Sequence, residues 1–377
     1  MAGIAYLPLH GGKTPRWLFQ RMVKLSSIII DAIIDLYGRD ELIERLSHPI
    51  YFQSFGCLVG YDWHSSGVTT VMTGVLQQVL EKKDYGVYIV GGKGRRGRQV
   101  PDDLIDGYSD ILPSERIDDL IRYSRLSAKV DTVLLQDNYS IYHHAIMFTD
   151  GGRWLIVQQG MNPDLKLARR YHILDRLLER DTEYVTEPHK GISGSRREKI
   201  VLDLTDRRSF ENKKVMMDIV REHRLRRDWE KLVKLLKKDT LYRWIEREYS
   251  EANITREDIG NILVMPRDLN WKAVRKIYDV QPRNINELIM LRGVGAKTIR
   301  AISLVAQFIY GAEPSFRDPI RYTFTVGGKD GVPMPVDRRI YDELIDFYKS
   351  VIEHGEMGRE KKKELINKLS SLYRPKI

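Results

Sequence analysis

The chain has a single cysteine, Cys57, among 377 residues. That excludes intrachain disulfides, cysteine-ligated zinc and iron–sulfur clusters held by cysteine. Long apolar runs are also missing. The best stretch, Ser26 to Tyr37, is interrupted by Asp31 and Asp35 and falls short of the ~18–20 residues a membrane span needs. The first residues, MAGIAYLPLHGGK, carry no charged n-region and reach Pro8 before any apolar run develops, so no signal peptide is expected and the cytoplasm is the expected compartment. No glycine-spaced lysine of the P-loop kind occurs, which argues against nucleotide hydrolysis.

What is present is charge. Lys and Arg number 62 against 52 Asp and Glu, giving +10, with charged residues at 30% and hydrophobic ones at 42%. The apolar share suffices for a sizeable core. The basic excess fits a folded protein with an anionic partner, and high charge with one cysteine is the usage of thermophiles. At roughly 100–200 residues per domain the length predicts two domains.

The patterning divides the chain. Residues 1–185 mix helix and strand signals: helices over 26–46 and 68–80, a short buried strand at 87–92, and two strand-like runs, 141–149 and 153–159, around Asp150-Gly151-Gly152. Residues 165–178 return to helical spacing. Residues 186–199 read as a basic linker of turn composition. From 200 to 377 the periodicity is helical, over 208–238, 241–249, 271–277, 285–310, 337–353 and 360–373. The expected fold class is α+β: a mixed α/β N-terminal domain carrying catalysis, then an all-α domain that binds DNA.

The clearest chemical signal is INELIMLRGVGAKTIRAISLVAQFIY at 285–310. Two amphipathic helices flank Gly293-Val294-Gly295, which resembles the helix-hairpin-helix DNA-binding motif. Glycines admit a phosphate close to the backbone, and the N–H groups opening the second helix donate to it. Arg292, Gly293, Val294, Gly295, Lys297 and Thr298 are the expected contacts. Such a grip holds sugar–phosphate without reading bases. Some DNA glycosylases place a Schiff-base lysine in this hairpin with an aspartate after it; Lys297 and Asp337 match those types, at twice the usual spacing.

Four polar clusters mark the first domain. One is His10-Gly-Gly-Lys13-Thr-Pro15-Arg16. Asp62-Trp63-His64 precedes a Ser/Thr-rich helix start. Lys93, Arg95 and Arg96 lie among glycines directly after a strand, as a mobile basic loop that can follow a nucleic-acid backbone. Asp137, His143, His144, Gln158, Gln159, Arg169 and Arg170 crowd around the hairpin. A two-residue Gly151-Gly152 turn sets His144 opposite Gln159 and puts His143 on the face with Met147 and Trp154. His144, His143, Asp62, His64 and Gln159 are the candidate catalytic residues. Asp62, His64, Asp137 and His144 are candidate ligands for Mg2+ or Mn2+, with Lys93, Arg95, Arg96, Arg169 and Arg170 as DNA contacts.

The motifs LPLHGGKTPRWLFQRM, FQSFGCLVGYDWHSSGVTT, YHHAIMFTDGGRWLIVQQGMN, ARRYH and GGKDGVPMPVD together resemble the archaeal and bacterial family known as domain-of-unknown-function 763, over 5–346. That resemblance implies a C-terminal helix-hairpin-helix segment and assigns no catalytic residue. Three functional expectations follow. The first is metal-dependent cleavage of structured or single-stranded-containing DNA in repair or recombination. The others are base excision through Lys297 and Asp337, and non-catalytic, structure-preferring DNA binding. A homodimer is compatible with each.

Overall fold

The computed structural model describes residues 14–61, 66–178, 184–235, 265–323 and 360. The class is α+β: a six-stranded sheet with helices on both faces. Strand order is β1 (Val87–Lys93), β3 (Ser140–Thr149), β4 (Trp154–Asn162), β5 (Leu167–Leu174), β6 (His189–Gly194), β8 (Tyr322–Thr323). Neighbours run antiparallel except β6 and β8, which are parallel. A short ladder pairs β2 (Leu135–Gln136) with β7 (Leu202–Asp203).

Alternation along the strands builds two cores. Ala145, Met147, Leu155 and Val157 face helices α1 (Arg16–Tyr37), α2 (Arg39–Ser47), α3 (Pro49–Leu58) and α4 (Gly67–Leu80). Ile146, Phe148, Trp154 and Ile156 face the other way. There they meet α7 (Ser114–Lys129), which continues into a π-helical turn (Val130–Leu134), and the later helices. In chain order, α5 (Arg95–Arg98), α6 (Val100–Tyr108) and α8 (Asp175–Leu178) are short. The later helices are α9 (Phe210–Arg221), α10 (Leu225–Leu235), α11 (Trp271–Val280), α12 (Ile285–Met290) and α13 (Ala296–Tyr310). Val305 and Ile302 of α13, Met216 of α9 and Trp154 of β4 are all fully or almost fully buried in one continuous cluster. Each such side chain contributes about 1.5–3 kcal/mol.

Several sequence expectations need correction. Residues 186–199 are not a linker, because β6 lies inside the sheet between β5 and β8. Nor is the chain after residue 200 purely helical, since β7 and β8 return to the first half. The helical spacing at 165–178 belongs to strand β5 followed by the single turn α8. Arg169, Arg170 and His172 are buried there, so polarity does not mark the solvent face. The helix expected over 208–238 is broken at His223, whose φ is 55°. The helices expected over 241–249 and 337–353, and all but the first residue of the one expected over 360–373, lie outside the described residues. Among the described residues no helix is long and apolar enough to cross a membrane.

Candidate functional site

Helix α12 begins with reciprocal capping. The Asn284 side chain accepts from the Glu287 amide at 2.9 Å, and the Glu287 carboxylate accepts from the Arg283 amide at 2.8 Å. Leu288 and Ile289 bury its inner face. The chain then turns through Gly293, whose φ of +94° suits glycine, and Val294 inserts into the core at 2% exposure. Lys129, at the end of α7, donates to the Val294 carbonyl at 2.9 Å. Because the peptide is trans and planar, holding that carbonyl toward α7 aims the Gly295 N–H the other way. A Cβ at Gly295 would find nothing within 4 Å. Helix α13 follows, its first-turn N–H groups having no partner along the helix.

Arg292, Gly293, Gly295 and Lys297 thus share one accessible turn. Lys297 is exposed and ion-paired with Asp268 at 3.2 Å, where the ammonium holds the Asp268 carboxyl below its usual range. Val294 and Thr298 do not belong to that surface: both are buried, Thr298 at 3% exposure. Asp337, the partner expected for a Lys297 Schiff base, lies outside the described residues.

The basic segment after β1 is an ordered turn of helix rather than a mobile loop. The Gly94 amide donates to the Tyr142 carbonyl at 2.8 Å, and Arg95, Arg96 and Arg98 project as exposed side chains of α5. The Lys93 ammonium sits 5.8 Å from the centre of the Tyr142 ring.

The other two arginines expected at the DNA are instead buried in the fold. Arg169 is 0% exposed and forms a bidentate pair with Asp318 at 2.7 and 3.1 Å, a bond to Asp137 at 2.9 Å, and a stack over Tyr139 at 4.6 Å. Arg170 is equally buried, bonded to Gln53 at 2.9 Å and to the Pro49 carbonyl at 3.1 Å; burial pulls its pKa down to about 9. Asp137 is correspondingly not an open metal ligand. Its carboxylate accepts from Arg169, the Tyr171 hydroxyl at 2.7 Å and the Tyr139 amide at 3.0 Å.

The histidine pair is set by the hairpin register. Asp150, Gly151 and Gly152 form a three-residue loop closed by the Thr149 amide on the Arg153 carbonyl at 2.9 Å, with Gly152 at φ +99°. The third loop residue moves the register by one position. His144 therefore stands opposite Gln158 and His143 opposite Gln159, one residue off the expected register that set His144 opposite Gln159, and Trp154 lies on the face away from Met147.

His144 is 6% exposed, bonded at Nε2 to Ser124 Oγ (2.8 Å) and at Nδ1 to Gln158 Oε1 (2.9 Å). Gln158 donates to Asp131 at 2.5 Å, and Asp131 pairs with His189 at 2.6 Å. His143, on the opposite face with Ala145 and Met147, meets Thr73 Oγ1 at 3.1 Å. Gln159 bonds Thr69, Tyr142 and the Ser66 carbonyl. Burial lowers the pKa of both histidines, that of His143 to about 3 with help from His144 and Lys93. Neutral, enclosed and hydrogen-bonded, these groups are part of the fold rather than reagents at a surface. Asp62 and His64 lie outside the described residues; among the described ones no group of three or more His, Cys, Asp or Glu side chains is arranged to hold a metal.

His144→Ala is therefore expected to cost about 2–4 kcal/mol, since it leaves Ser124 and Gln158 without their shared partner and opens a cavity. Urea unfolding measures this, and an unchanged midpoint would show that the network contributes nothing.

A family model described as a protein of unknown function, DUF763, matches residues 3–336. The chain belongs to that family. No curated protein and no solved structure matches it. Membership thus leaves the residue roles to the geometry of this family member. Two of its features carried no local signal in the sequence. Lys129 and Gln136, which touch the hairpin at the Val294 and Ala296 carbonyls, come from more than 150 residues earlier. Arg300, one helical turn after Lys297, could have been placed on the hairpin from its spacing, but its burial could not.

Proposed function

We propose that this protein holds DNA by its sugar–phosphate backbone through the turn between α12 and α13. The carrying observation is the Val294 carbonyl fixed by Lys129, which leaves the Gly295 amide and the first turn of α13 directed outward between Arg292 and Lys297. That is an anion cradle built from backbone donors and two exposed cations. Backbone donors carry no base information, so the reading implies binding tolerant of sequence and steeply weakened by salt. The net charge of +10 supports the same partner.

Cleavage of the bound DNA with Mg2+ or Mn2+ stays a proposal of lower rank. His143, His144 and Asp137 are engaged inside the fold, which argues against them as its reagents. Base excision has less support, because an exposed, ion-paired Lys297 suits a phosphate contact better than a deprotonated nucleophile.

Fluorescence anisotropy with a blunt duplex at fixed salt tests the binding. Gly295→Glu places a carboxylate in the cradle and is expected to weaken affinity at least ~30-fold, the lost bonds and new repulsion being worth about 2 kcal/mol. Lys297→Arg is expected to bind as the parent does. Unaltered binding by Gly295→Glu would overturn the reading; loss in Lys297→Arg would return Lys297 to the nucleophile role.

A further inference from the structure

Beside the start of α13 lies a groove of about 820 Å³. Its walls come from the π-turn and β2 (Thr132, Gln136), the loop into β3 (Asn138), the β4–β5 turn (Asn162), residue Lys199, and the start of α13 with Ala296 and Arg300. The volume is that of a small-ligand site and far below what a duplex needs.

Arg300 is the unusual group in it. The side chain is half-buried; its Nε has no partner, and its guanidinium reaches Gln136 Oε1 at 3.4 Å. No carboxylate pairs with it among the described residues, and desolvation alone lowers its pKa. A cation withdrawn from water without a counter-charge is costly to hold, so its presence asks for an anion. The carboxylates on the groove are largely taken. Asp131 is held by His189 and Gln158, Asp137 by Arg169 and Tyr171, and Glu198 by Arg196 and Tyr139; Asp164 lies on the wall made by the β4–β5 turn. Lys199 adds an exposed cation.

We infer that this groove takes the backbone phosphates of a single-stranded DNA segment, with Arg300 as the principal contact. The inference rests on the proposed hairpin grip and extends it. The hairpin turn holds the double-stranded part, and the strand leaving it passes along the groove, so the preferred substrate is a duplex with an unpaired tail. The Tyr139 ring is already covered by the Arg169 guanidinium, so the contact is to phosphate rather than to stacked bases.

The test measures the full-length protein by anisotropy on a blunt duplex and on the same duplex with an oligothymidylate tail. The parent is expected to favour the tailed probe by about tenfold, the worth of one charge-assisted phosphate contact. Arg300→Met, similar in length and uncharged, is expected to melt no lower than the parent and to bind both probes equally. Arg300→Lys should regain part of the preference, and Arg300→Gln serves if the methionine variant does not fold.

A preference retained by folded Arg300→Met or Arg300→Gln overturns the inference, as does a parent with no preference. Thymidine monophosphate should leave the preference intact; if it abolishes the preference, the groove is a nucleotide pocket and the strand path is wrong. Gly295→Glu reports on the blunt duplex, so failure of the hairpin grip is seen separately from failure of the groove.

Discussion

Replacing Arg169 by Met is expected to destabilise the protein by about 3–5 kcal/mol. The substitution strands two buried carboxylates: Asp137 at 2% exposure and Asp318 at 7%. The remaining donors are few. Asp137 keeps the Tyr171 hydroxyl and the Tyr139 amide, while Asp318 keeps the Glu198 amide at 2.6 Å and the Ile320 amide at 2.9 Å. Arg169→Lys should fail nearly as badly, because a point ammonium cannot reproduce the planar fork that reaches both carboxylates. Neutralising all three groups together, with Met at 169 and Asn at 137 and 318, should recover most of the loss. Urea unfolding of the three variants decides it. A midpoint for Arg169→Met within error of the parent would mean the cluster is dispensable.

Acid is expected to unfold the protein well above the pH at which ordinary surface carboxylates titrate. His48 and His143 have folded pKa values of about 4 and about 3, and those of His144 and His172 are also lowered, burial being the first cause in each case. Their unfolded value is near 6.5. A depressed folded pKa stabilises fully above the unfolded value and loses that contribution as pH falls, at up to ~1.4 kcal/mol per pH unit for each group.

Asp137 and Asp203 act in the opposite direction, burial raising both to about 6. Their ionisation disfavours the fold above that pH, so protonation between about 6 and 4 returns some stability. Near pH 5 the two aspartates offset about two of the four histidines, so the net effect of acid is a loss of stability carried by the remaining pair. Thermal melts in buffers from pH 7 to pH 4.5 should fall steeply below pH 6.5. A flat melting temperature across that range would show that the histidines are not buried neutral.

Much of the architecture is legible in the chain itself. The apolar alternation of Ala145 to Phe148 and Trp154 to Val157 marks a strand pair covered on both sides, and Asp150-Gly151-Gly152 marks its turn. Loop length was not readable from the glycines alone, because two-residue and three-residue closures both use them. One residue of slip moves Gln159 from opposite His144 to opposite His143.

The sequence determines by itself that residues 285–310 form two helices around a glycine turn, since φ of +94° at Gly293 and the apolar spacing of Ile299, Ile302 and Val305 are local properties. The net charge of +10 is likewise a property of the chain alone. Which of the cations are exposed was decided only by the tertiary structure. Arg169 and Arg170 look like surface groups in ARRYH, yet Asp318, 149 residues away, claims the first, and Gln53 with the Pro49 carbonyl claims the second. Arg300, inconspicuous in the same chain, ends half-buried with no carboxylate beside it among the described residues. Whether an arginine is spent inside the protein or offered outward depends on a counter-charge brought from a distant segment, and no local pattern encodes that meeting.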